Sequence, residues 1–139
     1  MQIKNNIIKI LMAVNILIYV LVGYLSGSMG RIINSELDKW ASVPFINLLM
    51  DPDYQLEFWR FFSCQFMHAD IQHIAFNMWC LYSIGLELEE FMGSLLFFVT
   101  YTLSGIFGSL VSCLYYTSLG QNVVSAGASG AIFGIAGAL

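Results

Sequence analysis

The chain has 139 residues, of which 58% are hydrophobic and only 10% are charged, and its formal net charge is −4. Soluble domains carry roughly 25% charged residues, and disordered chains combine low hydrophobicity with high charge, so both classes are excluded. The five Lys and Arg residues form no basic cluster that could bind nucleic acid. The composition therefore predicts an integral membrane protein in a lipid bilayer, without a nucleic-acid partner.

Uncharged stretches predict four membrane segments. A membrane-spanning helix needs about 20 apolar residues, and uncharged stretches cover 10–30, 71–86 and 91–139. The last stretch is too long for one helix, and the polar residues 118–122 give it a place to turn. The sequence predicts an all-α, polytopic membrane helical bundle in a single domain, 1–139, with segments at 7–27, 71–91, 94–117 and 127–139.

The ends of the chain raise two further questions. The segment 7–27 could be a cleaved signal peptide with Lys4 and Lys9 as its basic region, but its apolar run exceeds the roughly 7–15 residues typical of signal peptides. A retained helix is therefore favoured, although the charges do not orient it. The segment 127–139 reaches only about 20 Å as a helix, so we expect the chain to be a carboxy-terminally truncated piece of a longer protein.

The connection 28–70 is too long for a plain linker. It carries most of the charges together with many aromatic residues. Aromatic rings with polar tips suit the membrane interface, so the sequence predicts a membrane-associated loop. This loop could be a simple anchor or a structured support for a site, and the sequence favours neither.

Two polar clusters lie within the predicted membrane segments, where polar residues indicate a functional site. His73 and Asn77 are four residues apart and share one helical face, and Asp70 is placed to cap that helix. Their alternative role is a hydrogen bond between helices.

The second cluster is Gly127-Ala128-Ser129-Gly130. A serine flanked by glycines at a helix start can present its hydroxyl without crowding, and the helix N-terminus offers N–H groups to a developing oxyanion. The alternative role is helix packing, because Gly130 and Gly134 form a Gly-x-x-x-Gly pair. Since the chain crosses the membrane twice between His73 and Ser129, both lie on one side, which predicts a shared site for acyl transfer.

No metal or cofactor is predicted. The three cysteines form no Cys-x-x-Cys pattern and the two histidines no His-Glu-x-x-His pattern.

Taken in order, these motifs resemble the rhomboid family of intramembrane serine proteases. The resemblance covers 57–139, with the first segment before it, and is carried by the following strings: Glu57-Phe58-Trp59-Arg60, Met67-His68, His73-Ile74-Ala75-Phe76-Asn77, Gly85, Glu89, Gly93 and Gly127-Ala128-Ser129-Gly130-Ala131-Ile132-Phe133-Gly134.

The resemblance implies that Ser129 is the catalytic nucleophile and that His73 and Asn77 stabilise the oxyanion together with the Ser129 N–H. It implies about four of six core helices, transmembrane protein substrates cleaved near the extracytoplasmic side, a cytoplasmic amino terminus and a bacterial-type cell-membrane enzyme. Structural support is expected from Trp59, Arg60, His68, Glu89, Gly127 and Gly130.

The chain departs from the family in one respect. The family's catalytic base is a histidine on the sixth core helix, but both histidines here precede Ser129. We expect this polypeptide alone to be inactive and the full-length protein to be a serine endopeptidase. Two alternatives remain, a non-catalytic rhomboid-like protein that binds membrane helices and a channel or transporter fragment; the intact Ser129 favours the enzyme over the first.

Overall fold

The structure, a computed structural model, describes residues 7–32, 34–43 and 45–138. Within these ranges every regular element is a helix, which confirms the all-α prediction. Lys4 and Leu139, which belong to the predicted basic region and fourth segment, lie outside the described residues. The helices are α1 (Ile7–Ser26), α2 (Asn34–Asp38), α3 (Phe45–Met50), α4 (Arg60–Ser63), a 3-10 turn (Cys64–Phe66), α5 (Ile71–Met92), α6 (Ser94–Ser118) and α7 (Ser129–Ala136).

Two of the described helices are long and apolar enough to cross a membrane. Helix α1 has 20 residues and helix α6 has 25, which correspond to about 30 Å and 38 Å at the α-helical rise. Helix α5 has 22 residues but ends among acidic residues. The lengths of α1 and α6 are both sufficient to cross a hydrocarbon core of about 30 Å.

Helix α7 covers only eight residues of the predicted segment 127–139. Gly127, at the start of that segment, has a φ of 115°, a backbone conformation that L-residues rarely adopt and that no α-helix contains. The helix therefore begins at Ser129, so that the serine occupies its first position rather than its interior.

Helix α5 is bounded by a cap at each end. The Asp70 carboxylate accepts a hydrogen bond from His73 N at 2.8 Å, which confirms Asp70 as the N-cap. At the other end Gly93 has a φ of 83°, and its N–H donates to the Glu89 carbonyl. This one-residue connection reverses the chain, so α5 and α6 are antiparallel neighbours.

Helix α1 is fixed to α5 by a buried carboxylate. Glu89 is 0% exposed, and its two oxygens accept from Ile7 N and Ile8 N at 3.0 Å each, while the Ser94 hydroxyl donates to it at 2.5 Å. The first N–H groups of a helix lack partners within the helix, and a negative charge there is favourable. Glu89 thus caps α1 and sets its height against α5.

Small residues bring α6 and α7 into close contact, and we call this contact the α6–α7 seam. A Cβ atom built at Gly108 would lie 3.3 Å from Gly130 Cα, and one built at Gly134 would overlap the Ser104 side chain. Such spacing lets two helix backbones approach closely in a membrane. The seam holds α7, and therefore Ser129, against α6.

Candidate active site

The structure brings the two predicted clusters together. A Cβ atom built at Gly127 would lie 2.6 Å from His73 Nε2 and 3.5 Å from Asn77 Nδ2. Both side chains therefore lie beside Gly127, two residues before Ser129, and a side chain at position 127 would clash with the His73 ring. His73 and Asn77 occupy one face of α5, as their spacing indicates, and that face meets the segment that leads into α7.

Ser129 begins α7, at the end of that segment. Within the part of the chain that the structure describes, its hydroxyl makes no hydrogen bond. The first N–H groups of a helix have no intrahelical acceptor, so the Ser129 N–H and hydroxyl are both available to a ligand.

Asn77 supplies a second free donor. It is 4% exposed, and its Nδ2 has no hydrogen-bond partner among the described residues. A buried amide without a partner costs roughly 1–3 kcal/mol, and such a group in a native structure calls for an explanation. A donor without a partner in the protein can bond to negative charge that develops during a reaction, and such donors stabilise an oxyanion.

His68 lies beside His73 and supports it. The two ring centroids are 5.0 Å apart, with an edge-to-face angle of 65°. Burial, with a smaller contribution from nearby His73, lowers the pKa of His68 from 6.5 to about 4. His68 is therefore neutral near pH 7 and packs against His73 without adding a charge to the site.

The loop, residues 28–70, holds the segment before Ser129 through its backbone. Gly127 N donates to the Cys64 carbonyl at 2.8 Å. Ser42 and Ser125 form an isolated antiparallel bridge, in which each N–H donates to the other's carbonyl at 3.0 Å. These contacts were not predicted, because backbone bonds between residues more than 60 positions apart leave no pattern in the side chains.

Trp59 and Arg60 lie in the loop and not at the serine. The Arg60 side chain is buried, and it donates to Glu57 Oε2 at 2.6 Å, to the Asp38 carbonyl at 2.5 Å and to the Ala41 carbonyl at 3.0 Å. Its guanidinium also lies 4.9 Å from the Trp59 ring centroid, within cation–π range. These contacts bring residues 38, 41, 57 and 59 of the loop together around the Arg60 guanidinium.

The remaining predicted support residues, Glu89 and Gly130, contact neighbouring helices. Glu89 is 16 residues from His73 on the same helix, or about 24 Å along its axis, and it caps α1 away from the serine. Gly130 follows Ser129 and lies in the α6–α7 seam, where a Cβ would be 3.7 Å from Gly108 Cα.

A cavity of about 800 Å³ leads to His73. The loop contributes three carboxylates to its wall, and the connection between α6 and α7 contributes Asn122 and Ala126. A polar cavity of this size admits water and an extended peptide segment. Among the described residues, no group of three His, Cys, Asp or Glu side chains is placed to hold a metal ion.

Comparison with known proteins supports the resemblance seen in the sequence. A family model described as "Rhomboid domain" matches residues 55–139. RHOMBOID-like protein 7 of Arabidopsis thaliana is 28% identical over an alignment of 163 residues that covers the whole chain and 50% of that protein.

Two other relatives match a shorter part of the chain. RHOMBOID-like protein 5 of Arabidopsis thaliana is 46% identical over 83 residues, which is 60% of this chain and 26% of that protein. Rhomboid protease GluP of Bacillus subtilis (strain 168) is 42% identical over 85 residues, which is 61% of this chain and 16% of that protein.

The chain therefore spans half the length of the first relative and about a quarter or less of the other two. These relatives come from a plant and a bacterium, so they lend no support to the expectation of a bacterial source.

Proposed function

The chain belongs to the rhomboid family, and from this premise we propose that the full-length protein is an intramembrane serine endopeptidase. Its substrates are transmembrane proteins, cleaved in or beside a membrane helix near the extracytoplasmic side. One relative, the protein GluP, carries the word protease in its name. The observation that carries the proposal is the position of His73 Nε2 and Asn77 Nδ2 beside Gly127, two residues before Ser129.

Each polar group has a role in this proposal. The Ser129 hydroxyl attacks the scissile carbonyl and forms a tetrahedral intermediate, whose oxyanion accepts hydrogen bonds from His73, from Asn77 and from the Ser129 N–H. The unpartnered Asn77 Nδ2 supports this role, because a group already bonded within the protein could not donate to the oxyanion. Water for the second, hydrolytic step enters through the cavity that reaches His73.

Nucleophilic attack also requires a base. His68 and His73 are the two histidines of the chain, and the Ser129 hydroxyl has no hydrogen bond to either. A serine without a base is a weak nucleophile near neutral pH. We therefore expect a polypeptide of these 139 residues to lack protease activity, and the family resemblance assigns the base to a histidine on a later helix.

The proposed topology follows the same resemblance. The amino terminus is cytoplasmic, the cavity opens to the extracytoplasmic side, and the loop lies at that membrane surface. The exposed Trp59 and Phe62 rings support this placement of the loop, because aromatic side chains concentrate at the membrane interface.

Covalent labelling tests the proposal directly. The full-length protein in detergent micelles is treated with a fluorophosphonate or isocoumarin probe, and the modified residue is identified by mass spectrometry. Labelling is expected at Ser129 and is lost in Ser129→Ala. Ser118, an exposed serine at the end of α6, stays unlabelled and serves as the internal control for non-specific reactivity.

Turnover of a transmembrane substrate tests the oxyanion donors. Asn77→Ala is expected to lower kcat about 10²-fold, the usual effect of losing one such donor, with folding unchanged by circular dichroism. A folded full-length protein that is not labelled at Ser129 would overturn the assignment and favour a non-catalytic protein that binds membrane helices.

A further inference from the structure

We infer that Ser42 is a positioning residue for Ser129, which transmits the order of the loop to the nucleophile. The inference rests on the proposed function, because it assigns Ser42 a part in the reaction of Ser129. Ser42 is 0% exposed and lies 83 positions from its partner in the sequence, Ser125. None of the sequence motifs includes either serine.

Three hydrogen bonds join these two serines. The two backbone bonds of the bridge are 3.0 Å long, and the Ser42 hydroxyl donates to the Ser125 carbonyl at 3.2 Å. The Ser42 oxygen also accepts a weak hydrogen bond from Cys113 Sγ on α6 at 3.4 Å. Ser42 therefore ties the loop to both α6 and the segment that precedes α7.

The segment from Ser125 to Ser129 is held at two points. Ser42 holds its first residue, and the Cys64 carbonyl holds Gly127 N. Because Gly127 has a φ of 115° and carries no side chain, this part of the backbone has more conformational freedom than its neighbours. Two fixed points on either side of Ala126 restrict that freedom just before the nucleophile.

The loop end of this link is itself ordered by charge. Arg60 donates to the carbonyl of Ala41, the residue before Ser42, and the Ser63 hydroxyl donates to the carbonyl of Trp40 at 2.6 Å. A continuous set of contacts thus runs from the Arg60 guanidinium through Ala41 and Ser42 to Ser125. This path connects Arg60, which lies outside the serine site, to the backbone that precedes Ser129.

A pair of matched variants separates positioning from general stability. Ser42→Ala removes the hydroxyl that binds the Ser125 carbonyl. Ser109→Ala removes another buried hydroxyl that also joins α6 to the loop, since Ser109 Oγ donates to the Phe61 carbonyl at 3.2 Å. Among the described residues, this hydroxyl forms no hydrogen bond with the segment 125–128. Both variants lose one long-range hydrogen bond between a serine and a backbone carbonyl.

The rate constant for labelling of Ser129 and the values of kcat and KM are measured on the full-length protein, with kcat normalised to the active sites that the probe titrates. Ser42→Ala is expected to lower the labelling rate and kcat by about two- to tenfold, as the loss of one hydrogen bond allows, with KM unchanged. Ser109→Ala should stay within about twofold of wild type in the same assays. Equal losses in both variants, or no loss in Ser42→Ala, would overturn the inference.

Amide hydrogen exchange provides a measurement that does not depend on catalysis. Exchange at residues 125–129 should accelerate in Ser42→Ala and remain at the wild-type rate in Ser109→Ala. If the wild-type protein is not labelled at Ser129, the proposed function fails, while faster exchange in Ser42→Ala still establishes the contact. If the wild-type protein is labelled and exchange is the same in both variants, the positioning role alone fails.

Discussion

The loop and the α6–α7 seam meet near Ser129, yet they are stabilised in opposite ways. In the loop, the buried Arg60 side chain satisfies two backbone carbonyls and the Glu57 carboxylate. In the seam, Gly108 lies against Gly130, and Gly134 leaves room for Ser104. The loop depends on donors that are present, whereas the seam depends on side chains that are absent.

This difference predicts which substitutions each region tolerates. A hydrogen-bonded loop loses stability when a donor is removed, because buried carbonyls are left unpaired. A close-packed helix pair loses stability when atoms are added, because interiors have almost no free volume. The position of Ser129 depends on both regions, since the loop contacts the segment before it and the seam holds the helix that it begins.

Removal of the loop cation should have the largest effect. Arg60→Ala deletes the donors to Asp38 and Ala41 and the contacts with the Trp59 and Tyr54 rings, so we expect the free energy of unfolding to fall by about 3 kcal/mol. Arg60→Lys should recover less than half of this, because an ammonium group cannot reproduce the planar fork of a guanidinium. Denaturant titration of the detergent-solubilised protein measures both.

A second ion pair in the same loop is the matched control. Lys39 Nζ lies 2.8 Å from Glu36 Oε1 with the same three-residue spacing, but the Lys39 side chain is exposed. Exposed pairs contribute little, so Lys39→Ala should cost about 0.5 kcal/mol or less. A cost close to that of Arg60→Ala would show that charge pairing, and not the buried guanidinium, holds the loop.

The addition of one methyl group should break the seam. A Cβ at position 134 overlaps the Ser104 side chain, so Gly134→Ala must shift α7 and is expected to cost about 2 kcal/mol. The same denaturant titration measures the loss, and labelling of Ser129 should slow, because the helix that begins with the serine has moved.

A double-mutant cycle identifies the contact responsible. Ser104→Gly removes the side chain that a Cβ at position 134 would meet, so the double variant should recover at least about 1 kcal/mol relative to the sum of the single effects. Gly30→Ala is the control in the loop, because a Cβ there would meet nothing within 4 Å, and it should change stability by less than about 0.5 kcal/mol. Simple additivity of the Gly134 and Ser104 variants would place the clash elsewhere.

The same contrast explains what the sequence could predict. The long helices follow from uncharged stretches. The placement of His73 and Asn77 near the segment that leads to Ser129 agrees with their helical spacing and with the two crossings predicted between the clusters. These features depend on the identity and order of side chains. The bridge between Ser42 and Ser125 depends on backbone groups that every residue carries, so no motif marks it.

Two further features lay beyond the sequence argument. The short extent of α7 depends on the backbone conformation of Gly127, which a glycine permits but does not specify. On sequence grounds alone, the loop could be an anchor or a support for a site. In the structure it is folded, because the Arg60 guanidinium donates hydrogen bonds to the carbonyls of residues 38 and 41. Both features therefore depend on backbone conformations and long-range contacts that the sequence does not specify.

A change in pH tests the end of the loop, where it meets α5, and has the smallest expected effect. His68 ends the loop beside His73, and its pKa is lowered from 6.5 to about 4, chiefly by burial. The unfolded chain therefore binds more protons than the folded chain between these values, and stability is lost as the pH falls through that range. From pH 6.5 to 5.5 this group should cost about 1 kcal/mol.

The comparison with His68→Gln isolates this contribution from those of other titratable groups. The variant is less stable near pH 7 because it alters the edge contact with His73, but its stability should fall less steeply below pH 6.5, since residue 68 no longer takes up a proton on unfolding. Parallel pH profiles for the two proteins would mean that His68 is not held neutral by burial. A flatter profile in the variant would show that burial at the end of the loop keeps the His68 imidazole neutral in the folded protein.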